Sequence, residues 1–225
     1  MYDLKTWFLL FMIYSFIGWI IEVIDIFITT KKWVNRGFLI GPYCPIYGYG
    51  SLFIIYFLSS YTDSPIVLFV MAIAICSVLE YSTSYIMEKI FKARWWDYSN
   101  QKYNINGRIC LETMIPFGIG GCLILYLANP FITHCLSLIP DQILFVMAII
   151  LFIIFLVDNL VSFKVILNFK KVATTIRKDS TEEISKRVKA VLSSKSFLGK
   201  RLMNAFPNVK TILKNYNEKR KRKVR

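Results

Sequence analysis

Histidine is nearly absent from the sequence and cysteine is scarce, with one His and five Cys in 225 residues. The cysteines are scattered and show no C-x-x-C spacing, so a zinc site or a disulfide framework is not expected. The lone histidine, His134, stands far from the carboxylates, and neither an H-E-x-x-H segment nor a nucleophile elbow occurs. We expect the cysteines to be small core residues, His134 to be an ordinary loop residue, and the chain to hold no metal and no cofactor.

A phosphate-binding loop of the form G-x-x-x-x-G-K-[ST] is also missing. The chain therefore carries no recognisable ATPase of its own, and an enzymatic role is not expected. Any ATP-driven process would need a separate nucleotide-binding subunit, docked on the cytoplasmic loops.

Apolar residues, by contrast, are abundant, at 56% hydrophobic and 16% aromatic. Several apolar runs approach the ~20 residues that a helix needs to cross a bilayer. The sequence predicts an all-α fold, a polytopic membrane bundle of about five transmembrane helices. The expected spans are residues 6–28, 41–59, 65–91, 109–127 and 142–163. A transmembrane domain, 1–163, is then followed by a tail, 164–225.

Basic residues alternate between the predicted loops. The first and third loops carry Lys31, Lys32, Arg36, Lys89, Lys92, Arg94, Lys102 and Arg108. The second loop (SSYTDSP) and the fourth (ANPFITHCLSLIPD) contain no Lys or Arg. By the positive-inside rule, the first loop, the third loop and the tail face the cytoplasm, and the N-terminus lies outside.

The tail holds nearly all the positive charge. Residues 1–163 contain nine Lys or Arg and ten Asp or Glu, so the chain total of +14 leaves +15 on residues 164–225. A capping box, Ser180 with Glu183, precedes apolar residues at helical spacing. These residues are Ile184, Val188, Val191 and Leu192, and a second set follows in Val209, Ile212, Leu213 and Tyr216.

The pattern predicts basic amphipathic helices over residues 179–216, separated near Pro207 and lying on the anionic inner leaflet of the membrane. The alternative is that the tail serves only topology and solubility. Nucleic acid is not an expected partner, because the membrane surface is the nearer polyanion.

Six acidic residues lie inside predicted spans, where a charge is costly and faces a partner or a cavity: Glu22, Asp25, Glu80, Glu88, Glu112 and Asp158. Glu22, Glu80, Glu112 and Asp158 all fall in the half of the membrane nearest the basic loops, while the other half is almost uncharged. This arrangement predicts a polar vestibule open to the cytosol, with Glu22, Arg36, Glu80, Arg108 and Glu112 converging. The alternative is a set of structural ion pairs, such as Glu112 with Arg108.

The stretch NRGFLIGPYCPIYGYG, residues 35–50, opens a predicted span with residues that break helices. Irregular backbone at membrane depth is tolerated where it is buried or lines a wet cavity. We expect an unwound or kinked entry to this span, with Tyr43, Tyr47 and Tyr49 at the vestibule wall. The alternative is close helix packing through the GxxxG spacing of Gly37 and Gly41.

A faint internal repeat supports this reading. Setting residues 35–52 against 106–123 matches Asn35 with Asn106 and Pro45 with Pro116, each following a span with a glutamate. The second copy has a longer loop, whose Trp95, Trp96 and Tyr98 suggest an interfacial anchor.

The segments YSFIGWIIE, NRGFLIGPYCPIYGYG, LEYSTSYIMEKIF, WWDYS and NINGRICLE together resemble a family of bacterial integral membrane proteins labelled "putative type IV ABC-transporter permease". The resemblance covers about residues 8–130 and implies a transport role. By motif position, it implies that the characteristic polar residues are Glu22, Asn35, Arg36, Glu80, Asp97, Asn106, Arg108 and Glu112.

Three functions follow as hypotheses. The first is a transport or permease component with a cytosol-facing vestibule. The second is a membrane-embedded enzyme acting on lipid headgroups, since arginines at this depth suit phosphate. The third is a membrane scaffold or sensor that uses the basic tail.

Overall fold

The computed structural model describes residues 2–91, 93–175, 197–205 and 210–211. This part of the chain contains seven α-helices. They are α1 (Leu4–Thr30), α2 (Pro45–Leu58), α3 (Pro65–Phe91), α4 (Leu111–Leu123), α5 (Asn129–Ser137), α6 (Asp141–Thr175) and α7 (Phe197–Ala205). Four two-residue strands complete it: β1 (Ala93–Arg94), β2 (Asn104–Ile105), β3 (Ile109–Cys110) and β4 (Lys210–Thr211). The predicted all-α class is confirmed.

Four helical segments are long and apolar enough to cross a membrane: Leu4–Thr30, Pro65–Phe91, Leu111–Ser137 and Asp141–Lys164. Helix α2 is shorter, at 14 residues, and a 3₁₀ turn over Ser59–Tyr61 extends it. It begins at Pro45 and not at the predicted residue 41. A proline suits the first turn of a helix, where its missing amide would have no intrahelical partner.

The fourth predicted loop is largely helical, which corrects the boundary at residue 127. A π-helical segment, Ile124–Ala128, joins α4 directly to α5, so His134 lies on a helix. The predicted span ended at residue 127, and Pro130 lies three residues further along the chain. The π turn just before it loosens the regular hydrogen-bond ladder where an amide donor is missing, so the helix continues.

The helices pack as two hairpins followed by α6. The first hairpin is α1, residues 31–44 and α2; the second is α3, residues 93–110 and α4 with α5. Glycines allow the close approach in both. A Cβ added at Gly48 would lie 2.3 Å from the Ser15 hydroxyl of α1, and one added at Gly121 would lie 2.4 Å from the Ala72 Cβ of α3.

The two ends of the bundle differ. At one end Lys5 of α1 donates to Asp141 of α6, and the Tyr126 hydroxyl donates to the Thr62 carbonyl at 2.6 Å. The other end carries two loops, and we call it the loop end. They are residues 31–44, named the first loop, and residues 93–110, the predicted third loop, which is named the second loop from this point on. The core between the two ends is apolar, with Leu10, Leu58, Leu68 and Ala72 fully buried.

The second loop is organised by a short hairpin in which β2 pairs antiparallel with β3. Asn106 and Gly107 make the turn with φ of 54° and 66°, a conformation for which Asn-Gly is the preferred pair. A Cβ at Gly107 would lie 2.7 Å from an Asp97 carboxylate oxygen. The turn therefore needs glycine for both conformation and space.

The tail returns to the loop end. Helix α6 runs past residue 163 to Thr175, and β4 pairs with β1 of the second loop. Amphipathic helices separated near Pro207 were predicted over residues 179–216. Residues 197–205 are helical, but the prediction is wrong at 210–211, because backbone pairing to β1 holds that segment extended. The capping box Ser180 and Glu183 and the apolar positions Ile184, Val188, Val191, Leu192, Val209, Ile212, Leu213 and Tyr216 lie outside the described residues.

Candidate functional site

The first loop is unwound backbone held at the loop end. Lys31 ends α1 in the left-handed conformation, at φ 56°, and no helix resumes before Pro45. The Asn35 side chain accepts from the Trp19 indole at 2.7 Å and donates to the Ile40 carbonyl at 3.0 Å. The expected break is present, and the GxxxG alternative is wrong, because Gly37 and Gly41 lie in this loop and not on a helix.

Asp158 of α6 fixes that loop. Its carboxylate accepts from the amides of Ile40 and Gly41 at 2.9 and 2.7 Å. It also accepts from the Tyr43 hydroxyl at 2.5 Å and the Ser162 hydroxyl at 2.8 Å. Amides left without helical partners are thus satisfied by a buried acid.

Helix α7 covers the same loop from the other side. The Arg201 guanidinium donates to the Gly37 carbonyl at 2.9 Å and also to the Leu39 carbonyl. Burial lowers the pKa of Arg201, with the charge of Asp158 opposing that shift. The loop is therefore clamped, with an anion on its amides and a cation on its carbonyls.

Glu22 forms an ion pair within the first hairpin. Its carboxylate lies 3.4 Å from the Arg36 guanidinium and accepts from the Tyr47 hydroxyl at 2.7 Å. The side chains of Glu22 and Arg36 keep 29% and 26% exposure, so solvent weakens this pair.

The second hairpin has a denser network around Glu88 of α3. One Glu88 oxygen lies 3.0 Å from Arg94 and 2.9 Å from Arg108. Arg94 also contacts Asp97 at 3.4 Å, and buried Arg108 donates to the Ser84 hydroxyl at 3.2 Å. Two acids and two arginines are therefore matched in charge.

Glu80, two turns before Glu88, is buried at 7% exposure and contacts no cation in the described part of the chain. Its oxygens lie 3.3 Å from the Tyr98 hydroxyl and 3.4 Å from the Thr113 hydroxyl. Ser77, one turn earlier on α3, is also buried, and its hydroxyl finds no hydrogen-bond partner among the described residues.

The Tyr98 side chain is influenced by the charge of one glutamate from each hairpin. Burial, and then the negative charges of Glu80 and Glu22, raise the pKa of its phenol above the usual value. The phenol therefore stays neutral at physiological pH and donates to Glu80. Since both carboxylates act on one side chain, Glu22 and Glu80 face a common region, although they come from different hairpins.

The structure places the nine predicted site residues unequally. Glu22, Arg36, Tyr47, Glu80 and Arg108 gather at the loop end as described above. Asn35 and Asp97 hold the backbone of the two loops, and Asn106 donates to the Tyr81 hydroxyl at 2.9 Å.

Glu112 does not join this group. It is exposed in the first turn of α4 and has no ion-pair partner among the described residues. The suggested Glu112–Arg108 pair is wrong, because Arg108 turns to Glu88.

The predicted interfacial anchor is also wrong. Trp95 is 4% exposed, and its ring lies 5.5 Å from that of Phe38 of the first loop. The Trp96 indole donates to the Arg108 carbonyl at 3.1 Å, and Tyr98 contacts Glu80. Trp95 therefore joins the two loops, whereas Trp96 contacts its own loop and Tyr98 contacts α3.

One groove on the surface lies beside α1 and the first loop. This groove, of about 380 Å³, is lined by Trp19, Ile20, Val23, Ile24, Trp33, Val34 and Asn35. Its walls are apolar apart from Asn35, so it is not the polar vestibule that the sequence predicted. The polar residues that gather at the loop end, described above, are called the loop-end cluster.

Several residues of this cluster were absent from the sequence-based site. Ser84 and Glu88 follow Glu80 at spacings of four and eight, which places them on one helix face. Asp158 was recognised as an acid at membrane depth, but the loop it binds was not. Arg201 and Thr113 gave no signal, because ordinary tail and helix positions do not reveal long-range contacts.

A carboxylate with only hydroxyl neighbours lies beside a balanced set of ion pairs, and no group of three or more His, Cys, Asp or Glu in the described residues is placed to hold a metal ion.

Comparison with known proteins agrees with a membrane role. No curated protein and no solved structure matches the chain. The family described as "Putative ABC-transporter type IV" matches residues 9–163, which is more than half of the chain and includes the helix after residue 141. The protein is a multi-pass membrane protein and belongs to this putative type IV ABC-transporter family.

Proposed function

We propose that the chain is the membrane-spanning permease component of a transporter. Support comes from its family and from a line of polar side chains that enters the bundle from the loop end. Solutes that cannot dissolve in lipid need such a line of polar groups, and side chains of this kind at membrane depth commonly mark substrate or ion pathways.

The polar face of α3 is the observation that carries the proposal. Ser77, Glu80, Ser84 and Glu88 lie along one helix face, and the first three are at most 8% exposed. Eleven residues separate the first from the last, a rise of roughly 16 Å, or about half the ~30 Å hydrocarbon core. Beyond Ser77 the same face continues as the apolar, partly buried Ile73 and Phe69, which lie against Gly118 of α4. A polar half-path closed by an apolar layer is the form expected of a gated permease.

The loop end is proposed to face the cytosol, with the N-terminus outside. The basic residues of both loops and the +15 charge of residues 164–225 support that orientation. The same charge supports contact between the tail and anionic lipid. Energy would come from a separate ATP-binding subunit docked on the two loops, because the chain has no phosphate-binding loop.

Cysteine accessibility along α3 tests the path. Cysteines placed singly at Ser84 and Ser77 should react with a water-soluble, positively charged thiol reagent at least about tenfold faster than one at Val78. Val78 is the matched control because it lies on the same helix but is 67% exposed on the apolar surface of the bundle. Equal, slow reaction at all three positions would show a dry structural network and refute the path.

Photo-crosslinking tests the partner. A photoreactive residue at Tyr103, which is 80% exposed in the second loop, should form an adduct with a polypeptide that contains a phosphate-binding loop. The control is Leu138, which is 71% exposed at the opposite end of the bundle. Adducts only with lipid at Tyr103, or the same adducts at both sites, would refute docking on the loop end.

A lipid-headgroup enzyme is less well supported. Phosphate chemistry needs guanidinium groups that are available to the substrate. Three of the cluster's four arginines contact carboxylates: Arg36 contacts Glu22, and Arg94 and Arg108 contact Glu88. The fourth, Arg201, donates to the carbonyls of Gly37 and Leu39.

A further inference from the structure

Among the described residues, each acid of the loop-end cluster except Glu80 has either a cation in contact or four hydrogen-bond donors. Glu22 has Arg36, and Glu88 and Asp97 share Arg94 and Arg108. Asp158 accepts four hydrogen bonds. Glu80 has only two neutral hydroxyl neighbours, at 3.3 and 3.4 Å.

Counting protons weakens even this support. A threonine hydroxyl carries one proton. The Thr113 hydroxyl lies 2.9 Å from the Cys110 carbonyl and 3.4 Å from Glu80, so the carbonyl is the better-placed acceptor for its proton. When its proton goes to the carbonyl, the Thr113 oxygen turns lone pairs toward Glu80, and Tyr98 remains the only donor to this carboxylate among the described residues.

An isolated carboxylate in a low-dielectric site is expensive unless a cation compensates it. The two groups within hydrogen-bond distance of Glu80 are hydroxyls, those of Tyr98 and Thr113. The unpartnered Ser77 hydroxyl lies one turn earlier on the same face of α3, and the charge of Glu80 also reaches the Cys76 thiol. Oxygen ligands select hard cations, and a single uncompensated carboxylate matches a single positive charge.

We propose that Glu80 is the binding site for one monovalent cation, an alkali metal ion or a protonated amine, with hydroxyl oxygens completing its shell. The site lies partway along the α3 polar face, so the inference rests on the proposed function and names the charge class of what the permease carries or couples to. Glu80 would touch the ion directly, and Thr113 and Ser77 would tune its affinity.

Thermal unfolding of the purified full-length protein tests binding. Sodium, potassium and methylammonium chloride are compared with N-methylglucamine chloride, at equal ionic strength. At ten times its dissociation constant, the preferred ion should raise the midpoint by about 3–6 °C for a chain of this size. The Glu80→Gln variant should lose this shift, and its midpoint without the ion should equal or exceed that of the wild type.

Two further variants separate the site from general charge effects. Glu112→Gln removes the same charge from an exposed position one residue before Thr113, and it should keep the full shift. Thr113→Val, which removes one hydroxyl and preserves the shape, should raise the required ion concentration about tenfold. Identical salt responses in the wild type and in Glu80→Gln would overturn the proposal.

Protonation is the competing way to neutralise Glu80. A midpoint that depends on pH but not on the cation, and loses the pH dependence in Glu80→Gln, would also overturn the proposal. Reconstituted vesicles separate it from the proposed function. Binding without flux of the same ion would leave the site standing and refute transport of that ion. Reagent access along α3 without ion-dependent stabilisation would refute the site alone.

Discussion

The two hairpins are built from the same parts and treat their glutamates differently. Each has a glutamate on its first helix, an asparagine in its loop and a buried cysteine just before its second helix, Cys44 or Cys110. In the first hairpin, Glu22 takes the arginine of its own loop, Arg36. In the second, the loop arginine Arg108 does not reach Glu80 and contacts Glu88.

The sequence position eight residues after each glutamate explains the difference. After Glu22 this position is Thr30, whereas after Glu80 it is the acid Glu88. Glu88 lies two turns nearer the loop and withdraws Arg108, which leaves Glu80 with hydroxyl neighbours only. One additional acid thus turns a hairpin with a closed ion pair into one with an unpaired buried carboxylate.

The strongest way to break the comparison is Glu88→Gln. It removes the partner of Arg94 and Arg108 together, and losing one side of a buried pair costs about 3–5 kcal/mol. The freed Arg108 should then turn to Glu80 and make the second hairpin resemble the first. Unfolding in detergent should show a large drop in stability, and cation-dependent stabilisation should disappear. Retained cation dependence would contradict the idea that Glu88 keeps Arg108 from Glu80.

Removing the arginines one at a time gives the next largest contrast. Arg108→Ala should cost about 3 kcal/mol, because Arg108 is 7% exposed and carries a buried pair. Arg36→Ala should cost at most about 1 kcal/mol, because its pair is longer and partly exposed. In thermal unfolding, each kcal/mol corresponds to roughly 2–4 °C for a protein of this size. Similar losses in both variants would show that burial does not distinguish the two pairs.

The helices and part of the site could be predicted from the sequence, each from a different signal. Apolar run length located the membrane helices, and the Gly and Pro residues of 35–50 located the broken loop, since both signals are local. Glu22, Arg36, Glu80, Arg108 and Glu112 were grouped by depth, which the chain encodes directly, but depth does not show which way a side chain faces, and Glu112 is exposed. The ion-pair partner of each charged residue could not be predicted from depth. Whether Arg108 contacts Glu112 four residues ahead or Glu88 twenty residues behind depends on how the second loop folds back, and that was not encoded in spacing.

The same limit applied to boundaries and to the tail. Pro130 is a strong helix breaker in isolation, and only a π turn before it keeps that helix continuous. The segment 210–211 had helical spacing, but the partner strand 93–94 lies more than a hundred residues away and overrides that preference. Aromatic residues of the second loop looked like lipid anchors because their composition is the same whether they face lipid or Phe38.

Both hairpins share a close approach of their helices at a glycine, so replacing that glycine should destabilise the two hairpins by similar amounts. Gly48→Ala and Gly121→Ala place a Cβ 2.3 and 2.4 Å from side-chain atoms of the neighbouring helix, and such overpacking costs about 1–3 kcal/mol. Gly120→Ala is the control, because nothing lies within 4 Å of its added Cβ. It should be neutral or stabilising by up to about 1 kcal/mol through helix propensity. A loss in Gly120→Ala equal to the others would show that the close approaches are not responsible.

The smallest expected effect is local and concerns how the tail covers the two loops. Arg201 binds first-loop carbonyls through its side chain, whereas the second loop receives β4 through backbone pairing. Arg201→Ala should therefore loosen only the first loop, with a change in unfolding free energy below about 1 kcal/mol, the usual effect of a substitution near the surface.

Cys44, which is buried in that loop and donates to the Arg36 carbonyl at 3.2 Å, should become several times more reactive toward a thiol reagent, as measured by site-resolved mass spectrometry. Cys110, buried in the second loop, should not change. Lys200→Ala removes the same charge from an exposed neighbour on α7 and should leave both cysteines protected. A parallel increase at Cys44 and Cys110, or an equal increase in Lys200→Ala, would show that the tail acts through its charge alone and that the Arg201 contact does not hold the first loop.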